Sequence, residues 1–426
     1  LFKKGAQHTI PTLKDLNARL MPGDAYVEIV RINKQSRNAT KKGLDIVNMF
    51  TDSISYGAII IKKNSVPKFI LIDGKNQLEN QYALNLKSKI QNKQDDLDSY
   101  NLLFEKIDYE LKDIKKIYLV TDGVYNSINI ESIYNPNIKK FLIDYLKIQQ
   151  IQNVRVIIDE KKEFKISSTS KVALFGNPNF DLAETKPNDN EILLERGLDN
   201  DLLSEIKSVV KISSLDGTQK EIESIDAILK DSKSNVELFS KVNATEDNIK
   251  IIHSPDILHI ATHGYFLKNG DNSKTKKNIS QLINENYKND SYLKSGLLLA
   301  GAQNTLNGNQ PENINNGILT AEEAKSLNLK DTDLVVLSAC ETGLGDNLVG
   351  EGVIGLQRAF MIAGAKSVIM SLWSVSDEKT QELMTLFYTN WIKNNMSKEE
   401  ALYQAKISMK KLYPQPYYWA GFVLLE

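Results

Sequence analysis

The chain has 426 residues, with 53 basic against 54 acidic side chains, a formal charge of −1 and 41% apolar content, the composition of an ordinary globular protein of about two or three domains. That balance argues against an extended basic surface for phosphate backbones, and one cysteine with four histidines excludes a disulfide framework, zinc fingers and iron–sulfur clusters. No apolar run reaches the roughly 20 residues of a membrane span; Val353 to Trp373 comes nearest and is broken by Gln357, Arg358 and Lys366.

Short β-rich runs alternate with helical stretches, the pattern of an α/β sheet fold. Ala25 to Ile32 and Tyr56 to Ile61 are expected strands, and Lys68 to Ile72 returns from the second as a hairpin. Asp95 to Leu111 carries helical spacing, Ile117 to Val120 reads as a buried strand ending at the turn Thr121-Asp122-Gly123, and Pro136 to Gln150 reads as helix. Lys171 to Gly176 is the next strand, followed by a polar connection, Asn179 to Asp201. Thr218 to Leu229 is an amphipathic helix, Val236 to Phe239 a short strand, and Thr245 caps a helix towards Ile252. Three strands then end in small or polar residues: Ile257 to Thr262, Asp333 to Ala339 and Lys366 to Trp373. Between the first two, Lys268 to Asn316 is a long polar excursion with one embedded strand, Gly296 to Ala300, expected to border a cleft and to move. A last strand, Tyr418 to Leu425, follows Pro414 and Pro416.

The sole cysteine, Cys340, directly follows the apolar strand Leu334 to Ala339, and His263 directly follows Leu258-His259-Ile260-Ala261-Thr262. If these strands lie side by side and parallel, both residues emerge at the carboxyl edge, where sites form in open α/β sheets. A thiol there needs a base, since free cysteine has a pKa of about 8.5 and the thiolate is the nucleophile. His263 is the candidate to take that proton and return it to a leaving amine. The backbone N–H groups of Gly264 and Cys340 are candidates for an oxyanion hole. The plainer reading is that a lone cysteine is a small buried hydrophobe.

Several segments together carry a family resemblance. Asp256 to Phe266 (DILHIATHGYF), Ser338 to Gly345 (SACETGLG), Gly350 to Gly364 (GEGVIGLQRAFMIAG) and Ser371 to Asp377 (SLWSVSD) resemble the motifs of the CHAT family of caspase-like cysteine proteases, relatives of separase. The resemblance is strong over 215–426, with Thr218 to Ile225 and Asn243 to Thr245 in place, and weaker over 20–180. It implies a caspase-like α/β sheet flanked by helices, with an amino-terminal pseudo-caspase half (1–170) packed against an active carboxyl-terminal half (171–426). It implies Cys340 as nucleophile and His263 as general base in a dyad, with no third member and no cofactor; Asp256 and Glu341 read as ordinary surface acids. It implies Asp377 as a lining residue of the pocket for the side chain before the cut bond, where a carboxylate favours arginine. The plainer reading of Asp377 is a helix cap. Ser338 stands where many basic-cleaving relatives carry an acid, which weighs against basic specificity.

On this resemblance the chain is a cysteine endopeptidase acting on a protein substrate, such as an effector activated by cleavage. A sensor domain or regulatory protein would control it, in bacterial defence or stress signalling. A reducing cytosol suits a single free cysteine, so a cytoplasmic location is expected, with no direct nucleic-acid or membrane partner. The first residue is Leu1 rather than Met, which suggests a fragment or processed chain. Two rivals stand beside this reading: a catalytically silent CHAT-like binding module, and a cysteine acyltransferase using the same dyad.

Other patterns carry less. Gly350-Glu351-Gly352-Val353-Ile354-Gly355 matches G-x-G-x-x-G, but a dinucleotide fingerprint needs those glycines immediately after a strand; here they are expected to open a helix, Val353 to Ile362. His259 and His263 have the four-residue spacing of a zinc pair on a helix, yet they lie on an expected strand, where side chains four apart also share a face; the other histidines, His8 and His253, have no evident acidic companions, so no metal is assigned and His259 reads as an interior histidine. Lys274 to Lys277 reads as a solvated loop.

Overall fold

The computed structural model describes residues 10–35, 50–73, 77–159, 163–182, 212–266, 291–308, 315–339, 346–348 and 352–426. In the first part of the chain, helix α1 (Leu13–Arg19) starts at a capping box made by Thr12 and Asp15. Strand β1 (Asp24–Gln35) pairs antiparallel with β2 (Phe50–Lys62), and β2 pairs antiparallel with β3 (Lys68–Asp73). Helices α2 (Ala83–Gln91) and α3 (Glu105–Glu110) follow, and strands β4 (Lys116–Val120) and β5 (Lys147–Gln150) complete this half.

The second part holds β6 (Lys171–Pro178), α4 (Asp216–Lys230), β7 (Asn235–Lys241), α5 (Glu246–Ile251) and β8 (Ile257–Ala261). Next come β9 (His263–Phe266), β10 (Ser295–Leu298), α6 (Ala302–Leu306), β11 (Ile318–Thr320) and β12 (Leu334–Ser338). After it lie β13 (Asp346–Leu348), β14 (Gly352–Ile354), α7 (Leu356–Ile362), β15 (Val368–Ser371), α8 (Asp377–Tyr388), α9 (Lys398–Leu412) and β16 (Phe422–Leu425).

Among the described residues, one mixed sheet of 11 strands runs in the order β3-β2-β1-β4-β5-β16-β15-β12-β8-β6-β7. Strands from residues 24–150 lie on one side of the β5/β16 junction, and those from 171–425 on the other. That junction is one register pair, Gln150 with Leu425. Helices flank the sheet, so the expected α/β class holds. Its central strands are apolar without alternation: every residue of β8, β12 and β15 is buried, as a strand sandwiched between two helical layers requires. A smaller antiparallel sheet, β9-β10-β11, grows from the carboxyl edge of β8.

Three expectations need correction. Pro136 to Gln150 is not a helix. Lys139 takes a positive φ of 55°, the Asp144 carboxylate accepts from the Phe141 N–H at 3.0 Å, and the chain ends in β5. Leu142, Ile143 and Leu146 are buried, as a helix would bury them, but from a single 3-10 turn, Leu142–Asp144, and the residues just after it. The helix expected from Val353 starts at Leu356, and Gly352–Ile354 pairs with Asp346–Leu348 instead. The final strand begins at Phe422, after a helical turn at Pro416–Trp419. The stretches 183–211 and 267–290, with Lys274 to Lys277, lie outside the described residues.

Candidate functional site

Strands β8 and β12 are adjacent and parallel, with Ala261 opposite Ser338. Thr262 continues the register, its N–H donating to the Ser338 carbonyl at 3.2 Å, while its hydroxyl donates to the Leu298 carbonyl. That second bond turns the chain out of the main sheet, and His263 opens β9, opposite Leu298. The histidine therefore sits at the carboxyl edge, where β8 ends and the side sheet begins. Ala339 ends the buried run of β12, and the Ser371 hydroxyl at the end of β15 donates to its carbonyl. Cys340 follows in sequence and lies outside the described residues, as do residues 341–345.

His263 is partly exposed at the mouth of this edge. Its Nε2 lies 2.9 Å from the Ser213 carbonyl and 3.4 Å from the Ser213 hydroxyl. A carbonyl only accepts, so Nε2 is the protonated nitrogen and Nδ1 carries the lone pair of the neutral ring. Phe180 packs on the imidazole with ring centroids 5.4 Å apart. Burial lowers the His263 pKa below its usual value, against the opposing pull of the Ser213 bond and of the Asp377 charge. The ring is thus neutral at pH 7, the state a base needs.

Asp377 is the first residue of α8, with Ser376 as the preceding cap residue. It is half-buried, and its Oδ2 accepts from the Gly217 N–H at 2.9 Å. Burial raises its pKa, while the Gly217 bond and His263 pull it down and Glu221 and Asp216 push it up. Ser338 is 4% exposed, and its hydroxyl has no hydrogen-bond partner among the described residues. Gly264 stands in β9 opposite Leu297.

His259 is an interior histidine, fully buried. Its Nε2 is 2.9 Å from Glu221 Oε1 and its Nδ1 3.2 Å from the Tyr388 hydroxyl. Among the described residues no group of three His, Cys, Asp or Glu side chains is gathered to hold a metal. No described helix is long and apolar enough to cross a membrane. The residues that sequence reasoning missed are Ser213, Gly217, Phe180 and Ser371. Ser371 lay within a motif already singled out and Phe180 at the end of the weaker stretch of resemblance; Ser213 and Phe180 reach His263, and Gly217 reaches Asp377, from segments distant in sequence.

A family model, the CHAT domain, matches residues 99–426. Tetratricopeptide repeat protein 28 of Homo sapiens is 34% identical over 110 residues, which are 25% of this chain and 4% of that protein. The chain thus spans a small fraction of the curated relative it matches. Among solved structures, the Saccharomyces cerevisiae separase–securin complex is similar at 13% identity and a TM-score of 0.41, covering 76% of this chain and 17% of that one. The Arg specific cysteine proteinase gingipain R is similar at 13% identity and a TM-score of 0.38, covering 75% of this chain and 65% of that one.

Proposed function

The chain belongs to the CHAT domain family, and from that premise we propose that it is a caspase-like cysteine endopeptidase working through a dyad of Cys340 and His263. His263 Nδ1 takes the thiol proton of Cys340, and the thiolate attacks the scissile carbonyl carbon. The resulting oxyanion is held by the N–H groups of Gly264 and Cys340. His263 delivers its proton to the departing amine, and the bond to nitrogen breaks. Water, deprotonated by the same imidazole, then releases the acyl group from sulfur. Because Nε2 is committed to the Ser213 carbonyl, the travelling proton is the one on Nδ1.

The observation that carries this reading is the register of β8 against β12, Ala261 opposite Ser338. On one side the chain leaves those paired strands at His263, and on the other the sole cysteine follows Ala339 in sequence. Two further points support it: a neutral, oriented imidazole, and the Ser371 hydroxyl that fixes the carbonyl preceding Cys340. In this proposal Asp377 meets a basic side chain before the cut bond, with the Ser338 hydroxyl as a neutral polar neighbour. Residues 1–170 form the pseudo-protease half that buttresses the active one, 171–426. The substrate is a protein, and a sensor or regulatory partner controls access to it.

Alkylation tests the dyad. At pH 6.5 a thiol of ordinary pKa is only about 1% thiolate, so an activated Cys340 reacts with iodoacetamide well above the rate of a free cysteine, and His263→Ala slows it about tenfold or more. An unactivated rate in the wild-type protein, unchanged by His263→Ala, refutes the reading.

A further inference from the structure

Residues 212–218 form a strap across the carboxyl edge of the sheet, ahead of and into the first turn of α4. Its first residues have no regular secondary structure, and Ser213 and Ser214 are exposed. Four elements nonetheless tether it. The Ile212 N–H donates to Gln303 Oε1 on α6 at 2.6 Å. The Ser213 carbonyl accepts from His263. The Thr218 hydroxyl accepts from the Asn177 N–H at the end of β6, at 2.8 Å, and donates to the Leu215 carbonyl at 2.6 Å. The Gly217 N–H donates to Asp377 on α8.

Of these tethers only Asp377 brings a formal charge, and a charged acceptor makes the stronger bond. It is also well placed electrostatically, since Gly217 is the second residue of α4, where free N–H groups favour an anion. Gly217 fits this contact by lacking a side chain: a Cβ there would lie 2.5 Å from Asp377 Oδ2. The glycine and the carboxylate are matched to one another, and the strap they fasten carries the acceptor that orients the imidazole.

Resting on the dyad reading above, we propose that Asp377 is a positioning residue for the base: by holding the Gly217 amide it fixes the strap that presents the Ser213 carbonyl to His263 Nε2. Asp377 then acts on catalysis without touching the reacting atoms. Its charge also supports the basicity of His263 against burial. Asp216 and Glu221 of α4 add their charges around Asp377, whereas Glu378, its neighbour on α8, is 80% exposed and pairs with Lys379.

The test reads the His263 ring directly, by nitrogen NMR of the intact chain, beside steady-state kinetics. Asp377→Ala and Gly217→Ala are expected to abolish the bias toward the Nε2–H tautomer and to lower kcat about tenfold, Gly217→Ala with little change in KM because it leaves the Asp377 carboxylate in place. Asp377→Asn keeps an acceptor and so recovers the tautomer, but its His263 titrates at a lower pH than in the wild type. If Gly217→Ala and Asp377→Ala leave the tautomer untouched while Asp377 variants raise KM for substrates with a basic residue before the cut, Asp377 only reads substrate and the positioning role is wrong. Should Gly217→Ala fail to fold, Asp377→Ala against Asp377→Asn decides alone. The NMR reading needs no turnover: activity that survives Cys340→Ala would sink the dyad, and the tautomer would still judge the strap.

Discussion

Glu246, at the start of α5, is 1% exposed. Burial, with the Glu323 charge adding to it, pushes its carboxyl up to about 7, against the pull of its ion-pair partner Lys250. Between the ordinary carboxylate value and 7, the folded chain therefore holds a proton that the unfolded chain has released, so stability falls as pH rises through that window. Glu246→Gln cannot ionise. Urea unfolding is expected to show it more stable than wild type by about 2 kcal/mol at pH 8 and little changed at pH 4. A variant less stable at pH 8 would contradict this. Single residues were legible in the sequence where their type is rare and their chemistry distinctive: His263 could be named because it ends an apolar run and a glycine follows. Ser213 and Gly217 could not, because a backbone carbonyl and an absent side chain leave no mark in sequence until folding brings residue 213 against residue 263.

At the scale of elements, the turn after β4 shows how a short motif becomes rigid. Gly123 has a φ of +58°, and a Cβ there would lie 1.9 Å from the Tyr56 hydroxyl. That hydroxyl accepts from the Val124 N–H at 3.0 Å and donates to Glu79 at 2.7 Å, and Glu79 pairs with Arg31 at 2.5 Å. The Asp122 carboxylate closes the turn by accepting from the N–H groups of Gly123 and Arg31, at 2.8 and 3.0 Å. Strands β13 and β14, which follow Cys340, pack against this turn. Gly123→Ala combines backbone strain with expulsion of Tyr56 and is expected to cost about 2–4 kcal/mol in denaturant unfolding; a loss below 0.5 kcal/mol would refute the close contact. The turn itself was readable from Thr121-Asp122-Gly123, and the strands from their buried apolar runs. Pro136 to Gln150 was not, because helical spacing of Leu142, Ile143 and Leu146 also suits a turn buried on one side. Nor was the start of β9: every residue of β8 is buried, so no change of period marks where the chain leaves the main sheet.

In the whole molecule, the two halves share one sheet through the single β5/β16 register pair, and much of their joining falls to α9. Along that helix Glu399 meets Lys116 at 3.0 Å, Glu400 meets Lys147 at 2.7 Å and Lys410 meets Asp144 at 2.6 Å. Lys406 forms a buried ion pair with Glu131. A hollow of about 140 Å³ lies among these residues at the junction, away from His263. Lys406→Met strands the Glu131 charge in the interior and is expected to cost about 3–5 kcal/mol, with Lys406→Met/Glu131→Leu recovering most of it. Equal losses in the single and double variants would show that packing, not charge, joins the halves there. The joining was illegible in sequence because its partners lie more than 250 residues apart. The most direct test of the proposed activity is mass spectrometry of a peptide library incubated with the chain. Cleavage products present with the wild type and absent with both Cys340→Ala and His263→Ala are the predicted result. Identical products with Cys340→Ala, or no cleavage by a folded wild-type chain whose Cys340 alkylates like a free thiol, would contradict it.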